Sequence, residues 1–364
     1  MGGLCGKSAK QEAPIEAQRR RLSVSQADQV KTQGDDSKGL HAVATGNDVM
    51  DLFPNTGRKM SIGGAHAAGP QKGFENKKVE LMGDKEILAT NHVGFACKKG
   101  LKPESPNQDD FFILQVDDWG MYGVFDGHGP CGHDVSLFVN KMLPGQILRD
   151  SAFETKPDQA FTTAFKATHN LMQGEKCQFD ASLSGTTCTV VLHRAGMLHA
   201  AHAGDSRAVL ARKQGGKWVA EDLTPDHKPE LDGERKRIQS SGGEVRKLAG
   251  DIPHRVFAKG KMYPGLAMSR SLGDNVAHTV GVSEVPDVVS VKVTEEAKFA
   301  IVCSDGVWEF ISSQEAVDMV AKFGKAHVQD ATDSLCKEAW KRWIDEEGNV
   351  VDDITAIVVW LNDA

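Results

Sequence analysis

Four short strings, Asn107-Gln108-Asp109-Asp110, Asp126-Gly127-His128-Gly129, Ser304-Asp305-Gly306 and Asp352-Asp353, each set an aspartate at the end of an apolar, strand-like run. Met121-Tyr122-Gly123-Val124-Phe125 delivers Asp126, Phe299-Ala300-Ile301-Val302-Cys303 leads to Asp305, and Asp352 precedes Ile354-Thr355-Ala356-Ile357-Val358-Val359-Trp360. Carboxylates gathered from such strand ends would raise one another's proton affinity unless cations or shared protons offset their repulsion. Oxygen-only donors suit Mg²⁺ or Mn²⁺ rather than zinc, and hard divalent cations held this way serve hydrolysis. A single Asp-Gly is ordinarily a turn, because Asp bonds its own backbone and Gly supplies positive φ. The set in its strand context carries the metal reading.

The elements that must position these residues are legible from about residue 89. Short apolar runs at Thr186 to His193, Met197 to Ala203 and Arg207 to Arg212 are punctuated by Arg194-Ala195-Gly196, Gly204-Asp205-Ser206 and Gln214-Gly215-Gly216-Lys217, the pattern of consecutive antiparallel strands. Helical spacing joins Val135, Phe138, Val139 and Met142, then Phe161, Ala164, Phe165, Thr168 and Met172, then Val328, Leu335, Ala339 and Trp343. Clustered strands with helices outside them predict an α+β fold: two packed antiparallel β-sheets forming a sandwich flanked by α-helical layers. Residues 1–75 are rich in Gly, Ser, Gln, Asp and Ala and include Gly63-Gly64-Ala65-His66-Ala67-Ala68-Gly69-Pro70. They are expected to form a disordered tail, with one folded domain over 76–364.

Composition narrows the function classes. The chain has 364 residues, is 40% hydrophobic and 26% charged, and carries a formal net charge of −7, values of an ordinary globular protein rather than of a general nucleic-acid binder with a basic face. No apolar run approaches the roughly 18 residues of a membrane span, and no signal-peptide core opens the chain. Seven cysteines without a Cys-x-x-Cys pair fit reduced thiols better than a disulfide framework or a zinc site. A cytoplasmic setting is expected.

The ordered motifs resemble those of the metal-dependent Ser/Thr protein phosphatases of type 2C, over about Ala89 to Trp360. Besides the aspartate strings, they include Ser184-Gly185-Thr186-Thr187, Ala203-Gly204-Asp205-Ser206-Arg207-Ala208, Leu223-Thr224-Pro225-Asp226-His227-Lys228-Pro229 and Leu266-Ala267-Met268-Ser269-Arg270-Ser271-Leu272-Gly273-Asp274. The resemblance implies an enzyme acting on phosphorylated protein substrates with two Mg²⁺ or Mn²⁺ ions, and a monomer is expected. Asp126 would bridge the ions, the Gly127 carbonyl would complete one shell, Asp305 and Asp352 would hold the other ion, and Asp109 would act through water. A metal-bridging hydroxide would attack phosphorus directly. His128, whose side chain has the unperturbed pKa for the task, would protonate the departing serine or threonine oxygen. The Ser184 to Thr187 and Gly204 to Arg207 strings are expected to be structural, Asp274 to be a turn residue, and His227 to Met262 to form a flap beside the cleft.

Three departures from the family pattern stand out. The arginine expected five residues before Asp109 is Glu104, leaving Lys102, or Lys98, as a phosphate-binding point charge without the guanidinium fork. Gln108 replaces the usual acid before Asp109. A third, weaker metal site in some relatives uses an aspartate where this chain has Ser182, with Asp180 nearby. At the amino terminus, Gly2 and Cys5 suit myristate and a second, reversible acyl chain, and the nearby basic residues would favour the anionic cytosolic face of a membrane. Arg19-Arg20-Arg21-Leu22-Ser23 offers Ser23 to a basophilic kinase, whose phosphate would weaken that attraction. The rival readings are a weakly active or inactive relative serving as a binding scaffold, and a two-metal nuclease, which the acidic balance disfavours.

Overall fold

The computed structural model of the chain describes residues 49–54, 56–66, 71–102, 106–174 and 177–361. Gly2, Cys5, Ser23 and Glu104 lie outside the described residues.

The amino-terminal half supplies β1 (Lys59–Gly64), β2 (Val79–Gly83), α1 (Glu86–Thr90), β3 (Val93–Lys98), β4 (Asp109–Val116), β5 (Trp119–His128), α2 (Gly132–Arg149) and α3 (Pro157–Leu171). The middle follows with β6 (Gly185–Thr186), β7 (Cys188–Arg194), β8 (Met197–Ala203), β9 (Arg207–Gln214), β10 (Lys217–Asp222), α4 (Asp232–Ser240), β11 (Gly243–Lys247), β12 (His254–Ala258) and β13 (Pro264–Leu266). The chain closes through β14 (Leu272–Gly273), α5 (Asn275–His278), β15 (Asp287–Lys292), β16 (Ala297–Cys303), α6 (Asp305–Trp308), α7 (Ser313–Ala321), α8 (Val328–Glu347) and β17 (Ile354–Trp360). One sheet runs β15-β8-β7-β5-β4-β1-β2 with β6 and β14 attached, a second runs β10-β9-β16-β17-β3, and a third holds β11-β12-β13.

Side-chain alternation along β4 explains the layering. Phe111 and Ile113 point into a core shared with Val93, Leu210, Val302 and Ile357 of the second sheet. Phe112 and Leu114 point the other way, against Val139 of α2 and Phe161 and Phe165 of α3. Because both faces are covered, β4 reads as an almost unbroken apolar run. Each large side chain buried this way contributes about 1.5–3 kcal/mol relative to exposure. On the far side of the second sheet, Leu335, Ala339 and Trp343 of α8 pack on Phe299, Ile301 and Val358. The predicted sandwich between helical layers, and all three predicted helical stripes, are therefore present. Among the described residues no helix is long and apolar enough to cross a membrane.

The expected tail is wrong over Lys59–Gly64. This segment is β1, inserted between β2 and β4 with Ile62 opposite Ile113. Only two of its side chains, Met60 and Ile62, are large and apolar, and both are buried; so short an alternation is masked by the glycines around it. Gly64 is itself required there. Its N–H donates to Asp110 Oδ1 at 3.0 Å, and a Cβ would lie 2.0 Å from that oxygen. Asp110 is thereby a structural carboxylate, fully buried and paired with Lys77 Nζ at 3.1 Å.

Candidate active site

Strand pairing brings the predicted aspartates to one end of the sandwich. Asp109, at the start of β4, lies opposite Asp126, near the end of β5. At the same end of the second sheet, Cys303 pairs with both Ala356 and Arg207, so the chain leaves β16 into Asp305 beside the Asp352-Asp353 entry to β17 and the Gly204-Asp205-Ser206 entry to β9. Ser304 joins the two sheets. Its N–H donates to Thr355 O at 3.1 Å and its hydroxyl to Asp109 Oδ2 at 2.8 Å, which also accepts Thr355 Oγ1 at 2.7 Å.

The electrostatics follow from this convergence. Burial, with Asp353 and Asp352 adding repulsion and the two hydroxyls opposing, pushes the Asp109 carboxyl up to about 8. Burial and then the charges of Asp305, Asp109, Asp352 and Asp205 drive Asp126 well above the ordinary carboxylate range. Such groups stay ionised together only if positive charge enters among them. Two lysines supply part of it. Lys102 Nζ binds Asp352 Oδ1, and Lys228 Nζ lies 2.5 Å from Asp205 Oδ2. Burial disfavours both ammonium groups, but the carboxylates outweigh it and raise each lysine. The expected phosphate-binding Lys102 is thus inside the acidic pocket, held on an expected metal ligand. The donor set is all oxygen, which fits Mg²⁺ or Mn²⁺.

The Asp126 to Gly129 segment is braced so that the Gly127 backbone can lie close to its neighbours. A Cβ on Gly127 would sit 2.3 Å from Gly132 O and 2.5 Å from Gln108 O. Gln108, which replaces the usual acid, donates from Nε2 to Gly129 O at 2.8 Å and from its backbone to Asp353 Oδ2 at 2.8 Å. Thr187 Oγ1 accepts the Asp126 N–H at 2.9 Å and meets Ser206 Oγ at 2.6 Å, in keeping with a scaffold role for those strings. Asp180 is not tied to the carboxylates in this way: its Oδ1 accepts Ser182 N–H at 2.8 Å, and its charge bears on the Cys131 and Cys177 thiols.

Two residues that bear on the site, Asp274 and Asp205, were missed by sequence reasoning. His128 Nε2 lies 2.6 Å from Asp274 Oδ2, across 146 positions of sequence. Burial lowers the proton affinity of His128, but the Asp274 charge and hydrogen bond outweigh it and raise it above the ordinary histidine value. The same pairing holds Asp274 below its ordinary value in spite of burial. Asp274 is a turn residue as expected, with φ 48°, yet it is also the partner of the imidazole. Gly185 makes room for the pair, since a Cβ there would lie 2.1 Å from Asp274 Oδ2 and 2.8 Å from His128 Nε2. Asp205, read as a structural turn, adds charge to Asp126. The one signal available for Asp274 was an acid directly after the apolar Leu272-Gly273 strand.

A family model described as Protein phosphatase 2C matches residues 98–346. The chain belongs to the protein phosphatase 2C family. It is 33% identical over 288 residues to Probable protein phosphatase 2C 35 of Arabidopsis thaliana, covering 72% of this chain and 81% of the relative. It is 36% identical over 271 residues to Probable protein phosphatase 2C 64 of Oryza sativa subsp. japonica, covering 70% and 62%. The crystal structure of serine-threonine phosphatase 2C from Toxoplasma gondii superposes with a TM-score of 0.66 at 23% identity, covering 74% of this chain and 94% of that one, a likeness of fold. The His227 to Met262 segment, expected as the type 2C flap, holds α4, β11 and β12. With β13, Met268 and α5 it builds a small core of its own around Ile238, Val256, Leu266 and Met268.

Proposed function

We propose that this chain is a Mg²⁺- or Mn²⁺-dependent protein serine/threonine phosphatase. The observation that carries the reading is the gathering of buried Asp109 with half-buried Asp126, Asp305 and Asp352 at one end of the sandwich, whose mutual repulsion calls for divalent cations. Asp126, the Gly127 carbonyl, Asp305 and Asp352 would hold two ions, with Asp109 acting through water. Bound there, the ions supply a water-derived nucleophile near neutral pH and neutralise charge on the phosphoryl oxygens.

The chain's own residues perform the remaining tasks. Asp274 at Nε2 raises the proton affinity of His128 above the ordinary histidine value and so favours the protonated ring that a general acid needs. The imidazolium protonates the serine or threonine oxygen as the bond to phosphorus breaks, and Asp274 stabilises that charge until the proton leaves. Lys102 and Lys228, held on Asp352 and Asp205, bring positive charge into the acidic pocket that an anionic substrate would approach.

The test is turnover of a phosphothreonine peptide and of an oligonucleotide with EDTA, Mg²⁺ or Mn²⁺, in wild type and Asp305→Ala. Metal-dependent peptide turnover that the substitution abolishes is expected. Peptide inactivity in the wild type would favour a binding scaffold, and oligonucleotide cleavage a nuclease.

A further inference from the structure

Behind the His128–Asp274 pair lies a second cluster that the proposed chemistry does not use. His169 of α3, His278 at the end of α5 and Glu284 place ligand-type atoms within 4.8 Å of one another. The His169 and His278 rings stack, with centroids 4.1 Å apart and planes inclined by 23°. His278 Nε2 donates to Ser271 O at 3.1 Å, and His278 Nδ1 faces Glu284 Oε2 at 3.5 Å. The ring is therefore held from both sides, by Ser271 O at Nε2 and by the Glu284 carboxylate at Nδ1.

Burial and the proximity of His278 bring His169 down to about 4, so it is neutral near pH 7, and its Nδ1 accepts the Gly273 N–H at 3.2 Å. These contacts converge on the Ser271 to His278 loop, which presents Asp274 to His128. Ser271 Oγ donates to Asp274 Oδ2 at 2.5 Å, and the His278 N–H donates to Asp274 O at 3.1 Å. The loop is bent through the left-handed region at Asp274, φ 48°, and at Gly273, φ 82°, so its shape needs outside support.

We infer that His278, held between Ser271 O and Glu284 and stacked on His169, is a positioning residue that fixes the Asp274 carboxylate against His128 for leaving-group protonation. This rests on the phosphatase reading. A metal ion on the same three side chains is the rival. It is disfavoured because in-plane lone pairs of stacked rings run side by side rather than converging, and because His169 Nδ1 already holds the Gly273 N–H.

The consequence is selective for leaving group. A phosphothreonine peptide releases an alkoxide that must be protonated, whereas p-nitrophenolate leaves without help. His278→Gln and Glu284→Gln should each lower kcat for the phosphothreonine peptide about tenfold or more, within the range of general-acid effects. KM, Mn²⁺ affinity and turnover of p-nitrophenyl phosphate should hold near wild type. Glu284 is partly exposed, so Glu284→Gln carries the comparison if His278→Gln does not fold. Equal losses on both substrates, or no loss on the peptide, would overturn the inference. So would a transition-metal ion that co-purifies with the wild type and is lost in Glu284→Gln. A wild type inactive on both substrates would instead refute the phosphatase reading on which the inference stands.

Discussion

Without divalent ions, the folded protein should become less stable as pH rises from about 4 to about 8. The Asp109 carboxyl is raised to about 8 in the fold, against about 3.9 in an unfolded chain. The folded state therefore binds more protons across this window, and stability falls as pH climbs toward the folded value, then levels off above it. Four pKa units correspond to on the order of 5 kcal/mol. His128 acts with the same sign: its raised affinity stabilises the fold below the unfolded histidine value, and this is lost as pH passes the folded one. Mg²⁺ should separate the two contributions, because an ion held by the carboxylates at 100 times its Kd would return about 2.7 kcal/mol. The assay is urea unfolding at pH 5, 6, 7 and 8 in EDTA and in Mg²⁺, for wild type and Asp126→Asn. The wild type should lose stability with pH in EDTA and regain it in Mg²⁺. Asp126→Asn should exceed the wild type in EDTA at pH 8 and respond little to Mg²⁺. A flat or rising wild-type profile in EDTA, or an Asp126→Asn variant less stable than wild type there, would refute the reasoning.

Three further outcomes are expected. Asp274→Asn should lower kcat on a phosphothreonine peptide by roughly 100-fold, and the alkaline limb of its kcat profile should move to lower pH, because the charge that raises His128 is gone. Gly185→Ala should depress kcat while leaving Mn²⁺ affinity intact, since the added Cβ falls on the Asp274–His128 contact; calorimetric Mn²⁺ titration beside steady-state kinetics checks it. Lys102→Ala should tighten Mg²⁺ binding by removing the ammonium that competes for Asp352, and raise KM for the phosphopeptide; unchanged values of both would exclude a role for Lys102 at the site.

What the sequence reveals divides along the range of the interactions. Asp126, Asp305 and Asp352 were legible because each adjoins a buried apolar strand, and burial on both faces writes itself as an apolar run. The helices of the outer layers were legible for the same reason, through Val135, Phe161 and Trp343 at helical spacing. The strand Lys59–Gly64 was not, because its alternation rests on Met60 and Ile62 alone and its glycines, one needed for the approach of Asp110, read as tail. Asp274 was hidden differently: its role is set by a residue 146 positions away, and no local pattern separates a turn aspartate from one that faces an imidazole. Asp205 shows the same ambiguity, a turn residue by type whose charge reaches Asp126.

Equilibrium binding of Mn²⁺, read by paramagnetic resonance of the free ion at pH 7.5, tests most directly whether these carboxylates form a cation site. The account predicts two ions per wild-type chain, with binding reduced at least tenfold in Asp126→Asn and Asp305→Asn and unchanged in Asp110→Asn, whose carboxylate is committed to Lys77. Wild-type protein that binds no Mn²⁺, or Asp126→Asn protein that binds it undiminished, would contradict the account.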